Sequence, residues 1–150
     1  MYERILVPID GSPTSERGLA EAIGLARELG SRLRLIHVVD ELSLALAMDA
    51  YSGHAGDWIG VLREAGKKVL DQNLATAKAA GVEVEGFMPD TFSGSVQDLI
   101  LADAKRWNAS LIVTGTHGRR GPKRWMLGST AEGLLRQSPV PVLLVRGDAQ

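Results

Sequence analysis

Apolar residues recur along the chain in two alternating rhythms. Residues 4–9 form a nearly continuous apolar run, which fits a strand buried on both faces. Asp10-Gly11-Ser12-Pro13 breaks it. Ser12 has a capping hydroxyl and Pro13 a ring that presets the first helical φ, so a helix starts there. Leu19, Ala22, Ile23, Ala26 and Leu29 then repeat at helical spacing, and Gly30 offers a stop. Residues 33–39 read as a second strand: Leu33 and Leu35 alternate with Arg32 and Arg34 before the run turns apolar. Over residues 58–80, Leu62, Val69, Leu70, Leu74 and Ala77 supply one face of a long helix that Gly81 ends. In residues 82–88, Val82 and Val84 alternate with Glu83 and Glu85, which describes a strand with one wet face at a sheet edge. Ser95-Val96-Gln97-Asp98 has the form of a capping box. The helix it opens turns Leu99, Ile100 and Ala104 inward and ends near Trp107 and Asn108. Leu111-Ile112-Val113 is a fourth strand. Ala131, Leu134 and Leu135 mark a fourth helix, closed by Gln137-Ser138-Pro139, and residues 141–146 are a fifth strand.

Strands alternating with helices predict one α/β domain over residues 1–150, with a parallel sheet covered on both faces. Residues 41–57 fit this rhythm poorly. Leu42, Leu44, Leu46 and Met48 precede a glycine-containing stretch, and a connection of this length is either a lid or contact surface or a surface filler.

Composition narrows the function classes. With 17 Lys and Arg against 18 Asp and Glu, the net charge is −1, and no electrostatic case exists for general nucleic-acid or membrane binding. Cysteine is absent, which excludes a disulfide framework, a thiol nucleophile and a thiolate metal site. His37, His54 and His117 do not have the spacing of a zinc site, and His37 and His54 read as structural. No stretch approaches the ~20 apolar residues of a membrane helix. The first residues carry charges at Glu3 and Arg4 and too short an apolar run for a signal peptide. A soluble cytoplasmic protein is expected.

The chemistry concentrates between the fourth strand and the fourth helix. Gly115 and Gly118 follow the strand, then come Arg119, Arg120, Lys123 and Arg124, then Gly128-Ser129-Thr130 at the helix start. Glycines let a backbone approach an anion closely, and successive amides in a glycine turn can form an anion nest. A helix start adds unpaired amides and the positive end of its dipole. Ser129 and Thr130 add hydroxyl donors, and His117 is either a phosphate donor or a surface histidine. The competing reading is a turn that merely joins strand to helix. Neither a Walker Gly-Lys-Ser/Thr nor a G-x-G-x-x-G fingerprint occurs.

The spacing G-x2-G-x9-G-[ST] at Gly115, Gly118, Gly128 and Ser129 resembles the nucleotide-binding loop of the universal stress protein family, ATP-binding branch. RILVPIDGS near the start, GTHGR in the loop and SPVPVLLVR at the end extend the resemblance over almost the whole chain. It implies a universal stress protein domain of the adenine nucleotide alpha hydrolase-like fold: an open five-stranded parallel sheet in the order 3-2-1-4-5. The first and fourth strands would then be neighbours, with a ligand crevice beyond their carboxyl ends. Gly115, His117, Gly118, Arg119, Gly128, Ser129 and Thr130 become the phosphate group. Arg119, which follows Gly118 directly, is the cation expected at the terminal phosphate, with a solvated loop as the other reading of the four cations. Pro8, Ile9, Val38 and Val39 become an apolar slot, with main chain at the end of strand two reading the adenine edge; Val38 reads equally well as an ordinary core residue. Asp10 has two roles open to it: near the nucleotide, on a ribose hydroxyl or a bound Mg²⁺, or as a turn former ahead of Ser12.

The resemblance implies an ATP-binding regulatory protein, with Mg²⁺, acting as a homodimer through the last strand, Val142, Leu143, Leu144 and Val145. A slow ATPase or phosphotransferase, and a protein-interaction module without obligatory nucleotide, remain as alternatives. Trp125, Met126 and Leu127 are expected to pin the basic loop to the body.

Overall fold

β1 (Arg4–Pro8) forms the centre of a parallel sheet in the order β3-β2-β1-β4-β5, the order expected. The other strands are β2 (Arg32–Ile36), β3 (Val84–Phe87), β4 (Leu111–Gly115) and β5 (Val142–Val145). Helices α1 (Pro13–Leu29), α2 (Trp58–Ala79), α3 (Val96–Arg106) and α4 (Ser129–Gln137) connect or flank them. The computed structural model describes residues 1–39, 45–46, 48–49, 58–90, 94–117 and 127–147.

Side chains alternate across each strand and so build two cores. On one face, Ile5 and Val7 of β1 and Leu33 and Leu35 of β2 pack with Leu19, Ala22 and Ala26 of α1 and Leu70 and Ala77 of α2. On the other, Leu6, Ile36 and Ile112 pack with Ile100 and Ala104 of α3 and Leu134 of α4. The helix ends follow the sequence signals. The Ser95 hydroxyl accepts from the Asp98 amide at 3.2 Å, and Gly30 caps α1 in the left-handed region at φ 68°.

Three details differ from the sequence reading. Leu135 is exposed although Leu134 is fully buried, because neighbouring positions on a helix point about 100° apart and only one can face the sheet. Leu29 is exposed in the last turn of α1, beyond Ala26, the last α1 side chain in the core. Arg34 does not point to water. Its Nε and a terminal nitrogen donate to the two Asp103 carboxylate oxygens at 2.9 and 3.0 Å, and Asp103 itself is buried on the inner side of α3. In the connection between β2 and α2, Leu46 and Met48 are exposed; most of residues 41–57 lie outside the described residues.

Candidate functional site at the carboxyl ends of β1 and β4

β1 and β4 lie side by side, and their connections leave in opposite directions, α1 toward β2 and α4 toward β5. A crevice opens at such a switch point because the two loops diverge there. Each strand delivers a loop and a helix start to the same end of the sheet.

After β1, the chain closes on itself. Asp10 Oδ1 accepts the Ser12 amide at 2.8 Å, with Gly11 at φ 79° making the bend. The Ser12 hydroxyl oxygen accepts the Ser15 amide at 3.1 Å, and the Ser15 hydroxyl donates to the Ser12 carbonyl at 3.0 Å. The turn-forming role of Asp10 is therefore present, and it engages Oδ1 and not Oδ2.

After β4, the glycine positions have separate physical reasons. A Cβ at Gly115 would lie 2.6 Å from Thr14 Cγ2 and 3.1 Å from the Thr14 carbonyl oxygen. A side chain at this position would push on Thr14, so glycine favours the close approach of α1 to β4, whatever else the position does. The Thr116 amide donates to the Val145 carbonyl at 3.0 Å, and the Gly128 amide donates to the Thr116 carbonyl at 2.8 Å. That second bond brings the far end of the glycine loop back to the end of β4, so Gly115, Gly128, Ser129 and Thr130 gather in one place. His117 sits beside them. Its Nδ1 is 3.0 Å from the Thr116 hydroxyl, and its Nε2 is buried without a partner among the described residues. Thr14 and Thr116 organise this side of the crevice; Thr14 carries no motif signal of its own, and Thr116 enters the sequence reading only as part of GTHGR.

Gly128 is the N-cap of α4, at φ −61° and ψ 150°, with no side chain to cap the helix. The first intrahelical bond runs from the Glu132 amide to the Gly128 carbonyl at 2.9 Å. The amides of Ser129, Thr130 and Ala131 precede it and have no intrahelical acceptor. The dipole adds partial positive charge at the same point. Three converging donors of this kind suit an anion.

At the other side of the crevice, Pro8, Val38 and Val39 are partly exposed at the strand ends, although Val38 also packs against the α3–α4 core, and the Ile9 side chain belongs to the α1–α2 core. Ile9 therefore has only its main chain to offer. Gly118 and Arg119, together with Arg120, Lys123, Arg124, Trp125 and Met126, lie outside the described residues; Leu127 is half-buried. Among the described residues, no group of three or more His, Asp or Glu is placed to hold a metal, and no helix is long and apolar enough to cross a membrane.

The family model of the universal stress proteins matches residues 1–146. The chain is 35% identical to universal stress protein A homolog 2 of Coxiella burnetii over 147 residues, covering 97% of this chain and 95% of that one. Its fold is similar to that of hypothetical protein MJ0577, with a TM-score of 0.83 and 25% identity over 100% of this chain and 99% of that one. It also resembles the universal stress protein of Archaeoglobus fulgidus solved in complex with dAMP, at a TM-score of 0.69 and 23% identity over 96% and 98% of the two chains.

Proposed function

This chain belongs to the universal stress protein family, and on that premise we propose that it is an ATP-binding regulatory protein. The observation that carries the reading is the open start of α4, where the Ser129, Thr130 and Ala131 amides meet the Gly115–Thr116 corner with no side-chain cap. Phosphate oxygens would satisfy those amides, and the orphaned Nε2 of His117 offers a further polar contact. Gly118 and Arg119 join this group on the strength of their place in the loop motif. The similar A. fulgidus protein was solved in complex with dAMP, which supports an adenine nucleotide as the ligand of this chain.

Charge decides what Asp10 does. A carboxylate about 4 Å from a phosphate charge costs about 4 kcal/mol at an effective dielectric near 20, so direct contact is excluded. Oδ2, which the turn leaves out, accepts from a ribose hydroxyl or ligates Mg²⁺. Magnesium commonly takes one carboxylate and fills its shell with phosphate oxygens and water, so a lone Asp10 is a sufficient protein ligand. Pro8, Val38 and Val39 hold the base, and main-chain groups at the end of β2 read its edge.

The regulatory reading places the protein in the cytoplasm as a homodimer through β5. That strand is one of the two edges of the sheet, and Leu143 on it is 39% exposed, an apolar edge that a second copy would cover. A charged residue one position on, Leu144→Glu, is expected to give monomers or insoluble protein by light scattering; a soluble dimer would contradict this assembly.

Mass spectrometry of nucleotide released from the denatured protein, with calorimetry of Mg-ATP binding, tests the function itself. Bound ATP supports the regulatory reading. Released ADP with measurable turnover would replace it with a slow ATPase. An empty crevice that rejects ATP would leave an interaction module.

A further inference from the structure

His37 is buried and takes no part in the crevice as read so far. It follows Ile36, where β2 ends, and its imidazole Nδ1 lies 2.7 Å from the Ile9 carbonyl oxygen. A carbonyl only accepts, so Nδ1 carries the proton and donates. This bond falls at a particular rung. The β1–β2 register pairs Pro8 with Ile36, and the Ile9 amide donates to the Ile36 carbonyl at 2.8 Å. In a parallel ladder the next bond would run from the Val38 amide to the Ile9 carbonyl. The imidazole takes that acceptor instead. The sequence predicts pairing to residue 39, and it stops at Ile36.

The ring is held in place for this. The His37 amide donates to the Phe87 carbonyl of β3 at 3.1 Å. Gly66 of α2 lies against the ring edge: a Cβ there would be 2.8 Å from Cδ2 and 2.9 Å from Nε2.

We propose that His37 is a positioning residue that ends the β1–β2 ladder one rung early and thereby keeps the Val38 amide available to the edge of the bound base. The inference rests on the nucleotide reading above. It adds a cause for the polar main chain at the end of β2 being open to a ligand. A base presenting an acceptor beside its amino group, as adenine does, suits a lone amide donor there.

The experiment compares His37→Leu, which removes the donor, with His37→Asn, which keeps a donor near the Nδ1 position. Amide exchange at Val38 is followed by NMR without nucleotide, and Mg-ATP affinity by calorimetry. Without nucleotide, the Val38 amide of the unmodified protein is expected to exchange at least roughly a hundredfold faster than that of Ile9, which is ladder-bonded. His37→Leu is expected to protect Val38, because its amide then takes the Ile9 carbonyl, and to weaken Mg-ATP binding roughly tenfold. His37→Asn is expected to restore both. Gly66→Ala, which displaces the ring, is expected to shift both toward His37→Leu. Slow exchange at Val38 in the unmodified protein overturns the proposal even if no variant folds. So does His37→Leu with unchanged affinity. A protein that rejects ATP but shows the exchange contrast would fail the nucleotide reading and leave the structural role of His37 standing.

Discussion

α1 and α4 start at the same end of the sheet, from neighbouring strands, and they treat their first amides in opposite ways. In α1, Pro13 has no amide to satisfy and the Ser12 side chain accepts that of Ser15, so one of the three amides before the first helical bond, Thr14's, is left. In α4, Gly128 supplies no side chain, and the corresponding three amides all remain. Serine caps are also used at α3, where Ser95 accepts from Asp98. The chain therefore has the means to close a helix start and withholds it at α4 alone among the three with an assigned N-cap. An uncapped helix start costs stability, and that cost is sensible where a ligand completes the cap.

The contrast breaks most sharply if α4 is closed. Gly128 has extended backbone angles that any residue adopts, so Gly128→Asp brings no backbone strain and installs a capping carboxylate. The variant is expected to gain a few tenths of a kcal/mol in stability by denaturant unfolding. It is expected to lose at least about a hundredfold in ATP affinity by calorimetry, because the carboxylate both fills the amides and repels phosphate. Unchanged affinity would place the anion elsewhere. The smaller, opposite change opens α1. Ser12→Ala is expected to cost about 1 kcal/mol of stability while altering ATP affinity less than about threefold. A large loss of binding in that variant would show that the α1 start also belongs to the site, and the contrast would lose its meaning.

The periodicity of the sequence carried the architecture. Strand and helix identities, the caps at Ser12, Gly30 and Ser95, and the edge position of β3 follow from local patterns and hold. The strand order came from resemblance and also holds. What local patterns miss is set by residues distant in sequence. Asp103 falls on the inward side of α3 and looks misplaced until Arg34, 69 residues earlier, supplies its partner. The end of β2 depends on an imidazole reaching the main chain of Ile9, just after β1 and 28 residues back, which no hydrophobic pattern encodes. Gly115 was legible as a special glycine, but its closest constraint is Thr14, on a helix that only the folded sheet brings near. Of the phosphate group, Gly115, His117, Gly128, Ser129 and Thr130 are gathered in the fold, whereas Gly118 and Arg119 rest on the motif.

Titration of the isotopically labelled protein with Mg-ATP, followed amide by amide in nitrogen–proton NMR spectra, tests the central contrast most directly. The account predicts large shifts and new exchange protection at Ser129, Thr130 and Ala131, with Ser15 and Glu16 of α1 nearly unmoved. Saturable binding that leaves the first turn of α4 unshifted and unprotected would contradict it.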